Sequence, residues 1–334
     1  MNWNSGFSAL YYASFVDPLT WRSIDRFEIM GGSISRKPTG LRQSANIDCK
    51  EYDAGERWIR IHLIARQGND SENVPLFTGL ASCPDDDIDG FYITNQVELY
   101  SVLKPAEDVL LKRGYYVQGG ANVAMAIRNL LIAVTPAPVR IEGESPYLQK
   151  SIIAEDGESH LSMAEKILTA INWRIVIDGN GEIIICPKAS EPVATFDPLQ
   201  NDIIEPKIKR SEDWYSCPNV FRAISNGASA VARDDNPDSP LSTVTRGREI
   251  WMEESSVNLN QDESLAQYAS RRLKEEQRVA ITASYDRRYR PNINVSDIIT
   301  LNYPYQKLTG NFLIESQSIE LGYGASTSEE VTSV

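Results

Sequence analysis

The sequence has 334 residues, 42% of them apolar and 24% charged, with 46 Asp and Glu against 33 Lys and Arg and a formal net charge of −13. These proportions exclude a largely disordered chain, and the length exceeds what one hydrophobic core ordinarily supports, so two or three domains are expected. The acidic excess argues against tight, sequence-independent nucleic-acid binding, which needs clustered cations on phosphate, but it is compatible with DNA sliding past a like-charged wall.

The first residues, MNWNSGFSALYYASF, lack the basic start and apolar run of a signal peptide, and no later stretch reaches a membrane-spanning length of apolar residues. Synthesis in the cytoplasm without membrane insertion is the expectation. Up to about Lys104 the chain reads as strands at Leu10–Phe15, Arg26–Ile34, Ser44–Lys50, Trp58–Ala65 and Leu76–Cys83, bounded by Gly, Pro, Asn and Asp as in a sandwich or small barrel. Polar Asn69–Pro75 is read as a loop between two of these strands, and Gly31–Gly32 and Gly119–Gly120 as turn glycines. The run Asp85-Asp86-Asp87-Ile88-Asp89-Gly90 opens like a calcium loop, but its closing position is Gln96 instead of a bidentate Glu. A solvated acidic turn is the better reading, and whether Asp85, Asp87 and Asp89 bind calcium stays open.

The character changes after Lys104. A helix is predicted over Ala121–Ala133, with Val123, Ala126, Ile127, Leu130 and Leu131 on one face behind Asn122 as N-cap. A second is predicted over Ser159–Ile171, with a stripe of Leu161, Ala164, Leu168 and Ile171 and capping-box spacing from Ser162 to Glu165. Trp173–Ile177, the turn Asp178–Gly181 and Glu182–Ile185 form the clearest hairpin signal in the chain, completing a small α+β module. Proline-rich Pro187–Pro198 is read as a linker.

Strand character returns at Cys217–Ser225 and Thr245–Met252, on either side of a polar loop from Arg233 to Pro240. A third helix over Asp262–Gln277 should bury Leu265, Ala269 and Leu273 against a barrel. Further strands are predicted at Val279–Tyr285, Ile298–Tyr303, Phe312–Gln317 and Ile319–Gly322. The order strand, loop, Thr-Gly, strand occurs twice, around Thr78-Gly79 and around Thr309-Gly310, and suggests a duplication on either side of the helical middle. The resulting expectation is an α+β, mainly β chain: a barrel over 1–104, an inserted α+β module over 105–190 and a related barrel with one helix over 191–334.

Few groups offer chemistry. His62 lies inside a strand, and His160 sits beside Glu158 and Ser159 at a helix start, where neighbours cannot converge as a Ser-His-acid triad. Cys49, Cys83, Cys186 and Cys217 are far apart, without metal-ligand spacing, and read as reduced, buried thiols. No Walker loop or dinucleotide fingerprint is present. No catalytic, cofactor-binding or metal-binding residue is assigned, and no cofactor is expected.

Several segments, taken in order, resemble the baseplate hub proteins of contractile phage tails and of defective prophages of the PBSX type. They are Tyr11-Tyr12-Ala13-Ser14, Val16-Asp17-Pro18-Leu19-Thr20-Trp21, Gly31-Gly32-Ser33-Ile34, Cys217-Pro218-Asn219-Val220-Phe221-Arg222-Ala223, Pro291–Ile299 and Leu308–Ile319. The resemblance spans nearly the whole chain. It implies two tube-type β-barrels separated by the α+β module, a homotrimer whose six barrels match a six-fold tube, and no catalytic residues. It further implies tail tube, spike, distal baseplate and tape-measure proteins as partners, a virion tail location, and DNA passing through the lumen without specific binding. Phage and tail-like bacteriocin both fit. A peptidoglycan-acting, hub-associated hydrolase is the enzymatic alternative.

Overall fold

The computed structural model describes the chain except residues 51, 53–54, 83–84, 91, 149, 170–172, 199–203, 213, 226, 256–263 and 278–280, and except the side chains of 86, 87, 92, 93, 169 and 206. The fold is α+β and mainly β. Eight strands come first: β1 (Ser8–Val16), β2 (Ser23–Glu28), β3 (Gly31–Arg36), β4 (Gln43–Cys49), β5 (Trp58–Gln67), β6 (Asp70–Ala81), β7 (Asp85–Asp89) and β8 (Tyr92–Ser101). The middle holds α1 (Lys104–Asp108), β9 (Tyr116–Val117), α2 (Val123–Ile132), β10 (Val139–Ile141), β11 (Ile152–Ile153), α3 (His160–Thr169), β12 (Trp173–Ile177) and β13 (Ile183–Pro187). There follow β14 (Pro192–Phe196), β15 (Ile204–Glu212), β16 (Val220–Ser225), β17 (Ala228–Arg233), α4 (Thr243–Arg246), β18 (Trp251–Glu254) and α5 (Leu265–Glu276). The last strands are β19 (Ile281–Arg288), β20 (Ile298–Tyr303), β21 (Leu308–Glu320) and β22 (Ser326–Ser333). Among the described residues no helix is long and apolar enough to cross a membrane.

One large sheet runs β15-β19-β22-β21-β3-β4-β8-β6-β5-β1-β2, with β7 on β8, β20 on β21 and β14 on β20. The long strand β21 joins its two halves: Leu308–Leu313 pairs with β20, and Gln317–Glu320 pairs with β3. The described residues cluster into two compact units, Met1–Ile208 with Ser284–Val331, and Lys209–Ala283 with Thr332–Val334. In the first unit one core fills the N-terminal strands with Ile47, Ile61, Phe77 and Leu99, closed by Tyr289 and Ile319 from the C-terminal part. A separate core runs from Val102 to Ile185 and is built mainly from α2, α3 and the β12–β13 hairpin. Alternating inward residues Trp173, Ile175 and Ile177 explain why that hairpin was so legible.

Several expectations need correction. Arg26–Ile34 is two strands, β2 on β1 and β3 on β4. Gly31 and Gly32 are strand residues, not turn residues: Gly32 has φ +137°, and a Cβ there would lie 2.0 Å from the Asn46 carbonyl oxygen, so close backbone approach is what requires glycine. Asn69–Pro75 is mostly strand, because the turn is only Gly68-Asn69 and pairing resumes at Gln67↔Asp70. Its polarity reflects solvent on both faces of that hairpin end. Pro187–Pro198 contains β14, whose Pro192 opens the strand, where no ladder donor is lost. The segment Thr245–Met252 begins in α4, which Gly247 terminates in the left-handed conformation, and becomes strand only at Trp251. Phe312–Gln317 and Ile319–Gly322 belong to the single strand β21 up to Glu320.

The third helix buries Ala269 and Leu273, with Leu265 packed alongside, as its periodicity predicts, and Ser264 with Gln267 forms its capping box. Its bed differs from the expected barrel: α5 lies on Phe221, Ala223 and Ala232 of the separate sheet β17-β16-β18. Asp262 and Glu263, at the expected start, lie outside the described residues. The Thr-Gly echo does not mark equivalent positions either. Thr78-Gly79 pairs with Arg60 and Ile59 at the end of its hairpin far from the turn, whereas Thr309-Gly310 follows the turn directly and pairs with Asn302 and Leu301.

Candidate functional site

The residues that offered chemistry are held in structural roles. The His62 ring stacks on Tyr12 at 4.5 Å, its Nε2 lies 3.3 Å from Ser14 Oγ, and burial, helped by the Arg60 charge, pushes its pKa down to about 4. His160 Nδ1 lies 2.8 Å from the Leu130 carbonyl, tying α3 to α2. Ser159 caps α3 by accepting from Ser162 N at 3.1 Å, so the cap sits three residues before the predicted one. Glu165 pairs with Arg42 instead of closing a capping box. The acidic run Asp85–Asp89 is extended as β7 against Gln96–Tyr92 of β8, with Gly90 at φ +61° in the turn. An extended strand spreads alternate residues along its length, where a calcium loop must wrap them around one ion. Cys49, Cys186 and Cys217 are buried and free; Cys83 lies outside the described residues.

What the fold does assemble is a junction in the first unit, where the module meets both halves of the large sheet. The hairpin turn Asp178–Gly181 is stiffened by Gly181 N donating to Asp178 O and Glu182 N donating to Asp178 Oδ1. Its outward carbonyls accept from the N-terminal strands. Asn180 O takes Trp21 Nε1 at 2.8 Å and Arg60 Nη2 at 2.9 Å, and Gly179 O takes Thr78 Oγ1 at 2.9 Å. The approach is so close that a Cβ on Gly179 would sit 1.8 Å from the Pro75 carbonyl oxygen. On the other side, Arg42 donates Nε to Ile175 O at 3.1 Å, and Arg174 donates to Ser296 O at 2.5 Å and to Asp297 Oδ1 at 2.9 Å.

Beneath this junction lies a buried charge network. Arg287 and Glu329, both with fully buried side chains, form a bidentate pair at 2.8 and 2.6 Å. Gln317 Nε2 donates to Glu329 Oε1 at 2.8 Å, and Gln317 Oε1 accepts from Arg36 Nη1 at 2.9 Å. Arg36 Nη2 reaches Leu76 O at 2.7 Å, a carbonyl left available where the β5–β6 register slips by one residue between Ile61 and His62. Burial lowers the Arg36 pKa; burial also acts most strongly on Arg287, but the charge and hydrogen bonds of Glu329, together with Tyr285 and Tyr289, outweigh it and raise the Arg287 pKa. The sequence carried a faint signal for Arg287, since it shares strand parity with inward Ala283 and Tyr285. For Arg36, Arg42 and Arg174 no composition rule singles out which arginines are drawn into the junction.

No protein-family model and no curated protein matches the sequence. Solved structures do match along nearly its whole length. The 43 kDa tail protein of prophage MuSo2 from Shewanella oneidensis aligns at TM-score 0.67 and 13% identity over 98% of both chains. The tail protein from Neisseria meningitidis MC58 aligns at TM-score 0.66 and 15% identity, over 97% of this chain and 96% of that one. The chain has the fold of prophage tail proteins. The c3393 protein of E. coli, a type VI secretion component with structural similarity to the T4 tail proteins gp27 and gp5, aligns at TM-score 0.50 and 8% identity over 97% of this chain and 73% of its own. At such identities the tail-protein fold persists through packing geometry and not through shared residues.

Proposed function

We propose that this chain is a structural subunit of a phage-type tail, a hub ring that joins the tail tube to the baseplate and spike. The observation that carries the reading is the coextensive match to tail proteins: 98% of this chain on 98% of the MuSo2 protein. In this reading, residues 1–104 and 191–334 are two related tube-type barrels around the module 105–190, and Lys209–Ala283 is a further insertion in the second barrel. Three chains then present six barrels to a six-fold tube. Tube, spike, distal baseplate and tape-measure proteins are the proposed partners, with DNA passing through the lumen unbound and the protein residing in the virion tail.

Among the described residues the carboxylates with displaced pKa values, Asp17, Glu249 and Glu275, are all shifted downward by hydrogen-bond donors, which supports this reading over a peptidoglycan hydrolase, whose general acid is a carboxyl held above its ordinary range in a cleft. Light scattering with electron microscopy of the purified protein tests it. A trimeric ring without cell-wall turnover is expected; a monomer that releases peptidoglycan fragments would overturn it.

A further inference from the structure

A cavity of about 30 Å³ lies where the β3–β4 turn, β12 and the loop 294–296 meet, with Arg36, Lys37, Arg42, Gln43, Ile175 and Asn294 in its lining. One water needs about 10–15 Å³. The space therefore suits a monatomic ion or a pair of waters and is far below the several hundred cubic ångströms of organic-ligand pockets.

The sheet register sets what faces it. Gln317 pairs opposite Arg36, and Arg36 opposite Gln43, so one polar row crosses the adjacent strands β21, β3 and β4. All three residues are at least nine-tenths buried. Gln317 is already engaged in the row: its Oε1 accepts from Arg36 Nη1, and both Nε2 protons are donated, to Glu329 and to Ile293 O. Two donors in the row remain without an acceptor, Arg36 Nε and Gln43 Nε2. Side chains opposite each other on neighbouring antiparallel strands stand about 5 Å apart at Cβ, so one acceptor can serve both donors.

Charge decides what kind of acceptor. The bonds of Arg36 go to neutral oxygens, those of Asn294, Gln317 and Leu76, and the buried Tyr289 phenol beside it, whose pKa burial raises, is uncharged as well. Glu329 is held bidentately by Arg287, and Glu165 is taken by Arg42. Asp178, a carboxylate that acts on Arg36 through its charge, has its two oxygens turned to Glu182 N and Asn180 Nδ2. Lys37 adds a further cation at the rim. A buried guanidinium without a counter-charge is costly, and a water would supply an acceptor but no charge. We propose that this cavity binds a small inorganic anion of the halide class, which accepts from Arg36 Nε and Gln43 Nε2 and neutralises the Arg36 side of the network. The bound ion ties the β3–β4 hairpin, β12 and the C-terminal loop together, making the junction's stability dependent on anion concentration.

Two measurements on the full chain decide the matter. Crystals soaked in bromide should show an anomalous peak within hydrogen-bond distance of Arg36 and Gln43. The melting temperature should rise saturably as chloride replaces gluconate at constant ionic strength. Gln43→Glu supplies a carboxylate in place of the ion, so its melting temperature should be insensitive to the exchange and should match the wild type at saturating chloride. An ordered water in the cavity, or a Gln43 amide turned so that its oxygen accepts directly from Arg36 Nε, each with equal melting in chloride and gluconate, would overturn the proposal. So would a bromide peak with no melting difference, which would mark binding at crystal concentration only. If Gln43→Glu fails to fold, the wild-type bromide map and the anion series still decide.

Discussion

His62 illustrates how a titratable strand residue becomes a stability element. Its imidazole is packed between Tyr12 and Ser14, and its pKa of about 4 lies below the ordinary value near 6.5. The unfolded chain therefore takes up its proton first as the pH falls, so the stability His62 contributes is complete above about 6.5 and is lost progressively down to about 4. His62→Phe keeps the stack on Tyr12 and removes the titration; its melting temperature should fall less steeply than the wild type's between pH 6.5 and pH 4. Equal slopes in the two proteins would mean that the depressed pKa is not realised in solution. Sequence alone placed His62 correctly inside a strand. What it could not supply was the partner set, because Tyr12 and Ser14 arrive from the neighbouring strand β1 through register.

At the scale of elements, the β12–β13 hairpin and α5 give contrasting tests. The hairpin tip docks through main-chain carbonyls, so Asn180→Ala should leave stability nearly unchanged, whereas Gly179→Ala drives a methyl into the Pro75 carbonyl and should cost about 1–3 kcal/mol by chemical denaturation. Comparable losses for both substitutions would mean that the tip is not docked as described. Helix α5 depends on side-chain burial instead. Leu273, 4% exposed against Phe221 and Ala223, should cost about 2–5 kcal/mol when cut to Ala. An unchanged melt would make that face an assembly surface.

The same contrast explains what could be read in advance. Elements with strong one-sided periodicity, α2, α5 and the hairpin, were legible because a single buried face imposes its spacing on the sequence. Strands exposed on both faces, such as Asp70–Asn73, or covered on both, such as Ile59–Ile61, carry no alternation. The junction was not legible, because its bonds end on backbone carbonyls that any residue presents.

For the whole molecule, the proposed trimer makes a prediction about its lumen: that the pore admits DNA or a tape-measure protein and is lined by more acidic than basic side chains. The net charge of −13 is carried without an acidic tail and is tripled in a trimer, so the excess is spread over the folded parts of each copy. Many of the arginines are already engaged inside the chain. Arg36, Arg42, Arg60, Arg174 and Arg287 all serve the junction or the core of the first unit, which removes cations from any surface facing DNA. A conduit gains from that arrangement, since every exposed Lys or Arg on phosphate releases counter-ions and adds sequence-independent affinity that slows passage. The expected outcome is a ring whose density map shows Asp and Glu outnumbering Lys and Arg along the pore, and which fails to retain duplex DNA at physiological salt. Charge distributed only on the outer wall would reduce the acidic excess to a solubility device. A pore lined by Lys and Arg, or DNA held with a steep salt dependence, would remove the conduit from the proposal.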